Sequence, residues 1–238
     1  MKESLKGSEK RRLYLVRHEH VNYFDTSGAP LDPRSVSLSD TGEAQVLALR
    51  KILESVQVDR AISSDYPQAF QSLKLALTNP PSQGGLEQAE ALREIRAGRL
   101  GELTASSYLK EDCGAYAHAV TPGAAFLRGE SWETFRARVV GKLQSLFAEQ
   151  DWQDAIIVSH DAVNRVTLSW LMGCHLSQLP ILEQDPACLT IVDLDMKRGI
   201  VSGAYIRLLN FTPHEPFKTG DRKTAMKHIA ESMLSMCP

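Results

Sequence analysis

Two apolar runs in this chain end abruptly at a histidine. "RLYLVRH" (12–18) closes on Arg17 and His18, and "DAIIVSH" (154–160) closes on His160. Both are rich in branched aliphatic residues, the pattern of strands buried along most of their length. Helical segments lie between them. Strands alternating with amphipathic helices fold into layered α/β domains, because parallel neighbours in a sheet need a crossover connection. The sequence therefore predicts an α/β fold: a three-layer α/β/α sandwich with a mostly parallel central sheet and a helical or irregular lid-like excursion.

The elements can be read one by one. "SDTGEAQVLALRKILESV" (39–56) sets Val46, Leu49, Leu53 and Val56 on one stripe, with Asp40 and Glu43 at capping-box spacing. "RAISS" (60–64) is a short strand. "PQAFQSLKLAL" (67–77) is a helix with Phe70, Leu73 and Leu77 on one face and Pro67 at its start. "AEALREI" (89–95) reads as a short extended piece. Over 97–130 the apolar period lapses into Gly, Ala and Ser, which marks the lid-like excursion; Tyr108, Tyr116 and His118 within it read as exposed loop residues. "SWETFRARVVGKLQSLFAEQ" (131–150) is an amphipathic helix with Ser131 as N-cap. "VNRVTLSWLMG" (163–173) is a helix closed by Gly173. "ACLTIVDLD" and "GIVSGAYIRLLN" are strands joined by a turn at 197–199, and "RKTAMKHIAESMLSM" is a helix in a tail spanning 218–238. With a polar flexible arm at 1–11, the expectation is a single domain over 1–238.

Composition narrows the function classes. The 238 residues carry a formal net charge of −2, so no global basic field recruits nucleic acid or an anionic membrane. No apolar run approaches the ~20 residues that span a bilayer. The polar start lacks the apolar middle of a secretory signal. Cys113, Cys174, Cys188 and Cys237 are scattered, with no C-x-x-C and no histidine at metal-ligand spacing. The expectation is a cytoplasmic protein with reduced thiols, no metal and no cofactor; oligomeric state has no readable signal.

If the two histidine-terminated strands are parallel, both histidines lie at the carboxyl edge of the sheet, where open α/β folds bind ligands. His160 also immediately precedes a helix, whose N-terminus favours an anion. Arg17, His18 and His160 then converge on one anionic site. Taken singly, each has a plainer reading: a polar residue in a loop, or a surface charge with an ion-pair partner.

Several segments resemble one family. "LYLVRHEH" resembles the Arg-His-Gly opening of the histidine phosphatase superfamily, the group that includes cofactor-dependent phosphoglycerate mutases. "ISSDYPQAFQSLKLA" resembles its Ser-Ser-Pro-Leu-x-Arg-Ala segment, "ALREIRAGRLGEL" its Leu-x-Glu-x-x-x-Gly-x-x-Glu segment, "IIVSHDAVNRVTL" its second histidine motif, and "LLNFTPH" its closing Asn-x-x-x-His. The matches are in order and span 13–214. The resemblance implies that His18 is a nucleophile attacking phosphorus, that Arg17 holds phosphoryl oxygens, that protonated His160 stabilises the equatorial charge, and that Glu94 protonates the leaving oxygen and then activates water. It implies a small phosphorylated substrate and no metal. Without the resemblance, Glu94 in "REIR" reads as a solvent-facing carboxylate. Asn210 and His214 read as caps of a strand end.

Two departures bear on activity. The family's second phosphate-binding arginine falls on Gln68, and the glycine after Arg-His falls on Glu19, a carboxylate beside a site meant for phosphate. Losing one partner of a desolvated charge pair typically costs about 2–5 kcal/mol. Arg93, Arg96, Arg99, Arg128, Arg165 and His20 are the cations near enough in sequence to compensate. The implied activity is metal-independent hydrolysis of a small phosphorylated metabolite through a phosphohistidine. The alternatives are phosphoglycerate-mutase-type transfer, or a degenerate member that binds an anionic ligand with little turnover.

Overall fold

The computed structural model describes residues 9–98 apart from 24 and 26–30, residues 116–220, and positions 223, 224 and 227. Six strands form one sheet in the order β3-β2-β4-β1-β5-β6. They are β1 (Glu9–Arg17), β2 (Arg60–Ser63), β3 (Leu86–Gln88), β4 (Asp154–Ser159), β5 (Leu189–Lys197) and β6 (Ile200–Phe211). β3, β2, β4 and β1 run parallel; β5 pairs antiparallel with both β1 and β6. Among the described residues four α-helices flank the sheet: α1 (Asp40–Leu53), α2 (Pro67–Ala76), α3 (Trp132–Ala148) and α4 (Asp161–Leu171).

Alternation along the strands builds the two faces. Leu13 and Leu15 of β1, with Ala155 and Ile157 of β4, pack into a core shared with Trp132, Phe135, Val139 and Leu143 of α3 and Val163 and Val166 of α4. The intervening residues Tyr14, Val16, Ile156 and Val158 point the other way, against Val46, Leu49 and Leu53 of α1 and Ala69 and Leu73 of α2. The predicted three layers are therefore present. Each central strand is buried on both sides, which is why its sequence is continuously apolar.

The helix ends follow from their residues, with one shift. Ser131 caps α3 by accepting from the Thr134 backbone N–H at 3.1 Å, and Pro67 opens α2. α1 is capped one residue earlier than expected: Ser39 accepts from the Gly42 N–H at 3.2 Å, leaving Asp40 and Glu43 to favour the positive end of the helix dipole. Gly173 takes φ 72° just past the end of α4. Arg198 and Gly199, at φ 53° and 75°, make the two-residue turn between β5 and β6, which demands left-handed backbone at both positions.

Three readings of the sequence change. β1 begins at Glu9, inside the stretch read as an arm. The 89–95 segment is not simply extended: Arg93 N–H bonds the Glu90 carbonyl at 3.1 Å and tightens Glu90–Leu92 into a 3-10 turn. Tyr116 is buried rather than exposed, packed against Phe126 and Trp132 with ring centroids 6.5 and 5.5 Å away. Tyr108, Arg99, Cys113, Cys237 and nearly all of the expected terminal helix lie outside the described residues. Among the described residues no helix is long and apolar enough to cross a membrane.

Candidate active site

The parallel ladder between β1 and β4 pairs Arg17 with Ser159. The next residue on each strand is a histidine, and the His18 N–H donates to the Ser159 carbonyl at 2.9 Å. The two imidazoles thus emerge side by side at the carboxyl edge. Their centroids are 5.0 Å apart, with planes at 70°. Register alone brings together two residues far apart in sequence.

The tautomer of His18 is set by its neighbour. Its Nδ1 lies 2.7 Å from the Glu19 carbonyl oxygen. A carbonyl can only accept, so Nδ1 carries the hydrogen and Nε2 keeps its lone pair. Burial, helped by the Arg17 charge, pulls the His18 pKa down to about 3, which keeps the ring neutral and nucleophilic. His160 is the N-cap residue of α4, and Tyr66 meets it edge-on at 5.2 Å. Its Nε2 is buried without a hydrogen-bond partner. Burial and the adjacent His18 hold its pKa well below the ordinary value. His160 is therefore neutral in the site as it stands, where the resemblance implied a protonated ring. A phosphate dianion beside it would favour protonation by opposite charge.

Arg17 is anchored from behind. Its Nη1 donates to the Gln184 carbonyl at 2.6 Å, its own N–H bonds the Cys188 carbonyl at 3.2 Å, and its Nε is buried without a partner. The loop it leans on is held in turn by Asn210, whose Oδ1 accepts from the Asp185 N–H at 2.8 Å. Glu94 sits over the start of α4: Oε2 accepts from the Ala162 N–H at 3.2 Å and Oε1 from the Ile95 N–H at 2.9 Å. Burial first, and the nearby Asp161 charge second, raise its pKa to about 7. A carboxyl poised there can give and take a proton near neutrality.

The two departures are both buried. Gln68 is 1% exposed; its amide donates to the Pro33 carbonyl at 3.0 Å, and its Oε1 has no partner. Glu19 is fully buried, with neither carboxylate oxygen hydrogen-bonded. Burial lifts its pKa to about 7; the nearby Ser72 hydroxyl donates to the Gln68 carbonyl at 2.7 Å. Below that pH Glu19 is neutral and presents no negative charge to a phosphate.

The candidate compensating cations are mostly committed elsewhere. Arg93 forms a two-pronged pair with Asp65, its Nε 2.8 Å from Oδ1 and its Nη2 2.5 Å from Oδ2. Arg165 pairs with Asp161 at 2.6 Å and Glu183 at 2.8 Å, and lies 4.4 Å over the Tyr116 ring. Arg96 lies 3.8 Å from Glu130, and His20 Nδ1 is hydrogen-bonded to Ser39 Oγ at 2.8 Å. Among the described residues no group of three or more His, Cys, Asp or Glu side chains is arranged to hold a metal ion.

Three residues at the site escaped the sequence reading. Tyr66 flanks His160. Asp161 accepts from the Tyr116 hydroxyl at 2.9 Å while pairing with Arg165. Tyr23 lies within the electrostatic reach of Arg17, Glu94 and Asp161. Of these, only the Asp161–Arg165 pair had a local signal, its i,i+4 spacing at the head of a helix.

A family model described as the histidine phosphatase superfamily (branch 1) matches residues 13–205. The adenosylcobalamin/α-ribazole phosphatase of Escherichia coli K12 is 23% identical over 206 residues, covering 84% of this chain and 95% of that protein. The crystal structure of a putative α-ribazole-5′-P phosphatase from E. coli K-12 superposes with a TM-score of 0.67 at 23% identity, covering 84% of this chain and 96% of that one. A mycobacterial glucosyl-3-phosphoglycerate phosphatase superposes at 0.65 with 21% identity, covering 85% and 99%. With two imidazoles paired at the sheet edge and a family match across most of its length, the chain belongs to the histidine phosphatase superfamily.

Proposed function

We propose that the protein hydrolyses phosphomonoesters of small metabolites through a phosphohistidine on His18, without a metal ion. The observation that carries this reading is the fixed tautomer of His18, whose free Nε2 stands beside a second, unpartnered imidazole. In the first step His18 Nε2 forms a bond to phosphorus as the bond to the ester oxygen breaks; Glu94 gives its proton to that oxygen. Arg17 and His160 donate to the equatorial oxygens, where charge accumulates. In the second step water attacks the phosphohistidine, Glu94 takes its proton, and His18 is released neutral. The family resemblance and phosphatase relatives support the same assignment of roles.

The test is turnover of p-nitrophenyl phosphate and of a metabolite panel in EDTA. The panel includes α-ribazole 5′-phosphate, glucosyl-3-phosphoglycerate and 3-phosphoglycerate. Phosphate release that disappears in His18→Ala supports hydrolysis. Movement of label between positions of a phosphoglycerate, without release, would indicate a mutase instead. Binding without turnover would indicate the degenerate reading, which the uncharged Gln68 in place of an arginine favours.

A further inference from the structure

We propose that Arg138 and Glu130 form a positioning unit that fixes Glu94 for proton transfer, and so decide how well the protein cleaves esters with poor leaving groups; this rests on the hydrolytic reading above.

Arg138 lies on α3, more than 40 residues from Glu94. All five of its guanidinium N–H groups find acceptors. Nε and Nη2 bond the two carboxylate oxygens of Glu130, each at 2.9 Å. Nη1 bonds the carbonyls of Ala91 at 2.8 Å and Arg93 at 2.7 Å, and Nη2 bonds the Glu94 carbonyl at 3.1 Å. One side chain thus grips three carbonyls within a four-residue stretch that ends on the proposed acid. Lysine, with three donors on a single nitrogen, cannot reproduce this planar fork.

Glu130 completes the grip from the other side. It is 7% exposed. Its Oε2 accepts from the Arg96 N–H at 3.2 Å, and its own N–H donates to the Arg96 carbonyl at 2.8 Å. The two backbones continue together: the Gly98 N–H bonds the Leu127 carbonyl at 3.0 Å. Both glycines at this junction are required by space. A Cβ on Gly98 would lie 2.6 Å from the Leu127 carbonyl oxygen, and one on Gly129 would lie 2.1 Å from the Arg96 carbonyl oxygen.

Glu94 is therefore located from two directions. Its carboxylate rests on two backbone N–H groups, and its main chain is held by Arg138. Arg138 does not touch the reacting atoms in this scheme; it acts through Glu94. Misplacement of a catalytic group by about 1 Å can cost on the order of 100-fold in rate. That loss falls on steps that need the proton. An alkoxide leaves poorly unless protonated, whereas p-nitrophenolate leaves without help.

The experiment compares glycerol phosphate with p-nitrophenyl phosphate in single preparations of wild type, Arg138→Leu, Glu130→Gln and Val139→Ala. The ratio of the two rates is independent of the folded fraction, so a partly unfolded variant remains informative. The expected result is a fall of about 10- to 100-fold in kcat on glycerol phosphate for Arg138→Leu, with less than about threefold on p-nitrophenyl phosphate. Glu130→Gln should move the ratio in the same direction by less. Val139→Ala, a buried residue on the same helix, should lower Tm and leave the ratio alone. An unchanged ratio in Arg138→Leu, or an equal fall on both esters, overturns the positioning role while leaving hydrolysis intact. If wild type releases phosphate from neither ester nor from any member of the metabolite panel, the hydrolytic reading fails and takes this inference with it; if it cleaves an alkyl ester of the panel, that ester replaces glycerol phosphate in the ratio.

Discussion

His18 and His160 face each other with ring centroids 5.0 Å apart and planes at 70°. Neither ring chooses that position. Each is the first residue beyond a strand, and the parallel register of β1 and β4 sets the separation. The proposed mechanism gives the pair unequal tasks. Only His18 has its Nδ1 hydrogen committed to a carbonyl, so its Nε2 is the atom equipped to attack. We expect phosphoenzyme formation, followed with a labelled ester after rapid acid-free quenching, to vanish in His18→Ala. In His160→Ala it should persist at a rate lower by about 100-fold or more, as for loss of one oxyanion donor.

The pH profile should report Glu94. An acid with a pKa of about 7 is protonated below that pH and lost as a donor above it. For an alkyl phosphate, kcat/KM should therefore decline above about pH 7, while the neutral His18 remains available down to about pH 3. Glu94→Gln should remove the alkaline decline and lower kcat/KM by about 100-fold or more. An unchanged alkaline limb in that variant would assign the titration to another group.

Gln68→Arg tests whether the pocket still accepts the second cation. Gln68 is already buried, and hydrogen bonds to charged groups contribute about 1.5–3 kcal/mol. We expect inorganic phosphate to inhibit the variant at least about tenfold more tightly than wild type. A fall in both phosphate affinity and kcat/KM would show a pocket rebuilt around the glutamine.

Glu19 should make itself felt in stability rather than turnover. Its folded pKa, about 7, stands above the ordinary 4.5. Between those values the folded state holds a proton that the unfolded state has released, so this group's contribution is complete below about pH 4.5 and is lost as pH rises through 7. The full difference is on the order of 3 kcal/mol. Glu19→Gln should accordingly gain stability relative to wild type between pH 4.5 and 8, read as Cm in urea at each pH. His18 and His160, with lowered values, act in the opposite sense between about pH 3 and 6.5, so the relative change is the diagnostic quantity. A pH-independent difference would mean that Glu19 titrates normally.

Much of the fold could be read from the sequence because its signals are local. β1 and β4 betray themselves by unbroken apolar runs, and α3 by its stripe and its Ser131 cap. Those same two strands made His18 and His160 visible as a pair. Glu94 was different: nothing in "REIR" distinguishes a proton donor from a surface carboxylate, and only resemblance to a family singled it out. What raises its pKa is burial, and then the charge of Asp161, supplied by a distant segment of the chain. Arg138 was illegible for the same reason, since its three carbonyl acceptors lie on another segment. Tyr116 was misread because its neighbours in sequence are mostly Gly and Ala with no apolar period, whereas its neighbours in space are Phe126, Trp132 and Asp161.

The anchoring of Arg17 on the Gln184 carbonyl has a corollary in chain order. His18 follows the first strand in the chain, and His160 the fourth. Yet the support for the guanidinium comes from the turn leading into β5, secured by Asn210 near the end of β6. Both supports, the Gln184 carbonyl and the Asn210 amide, lie later in the chain than either ring, so a truncation ahead of β5 would keep the imidazole pair and lose what orients the guanidinium.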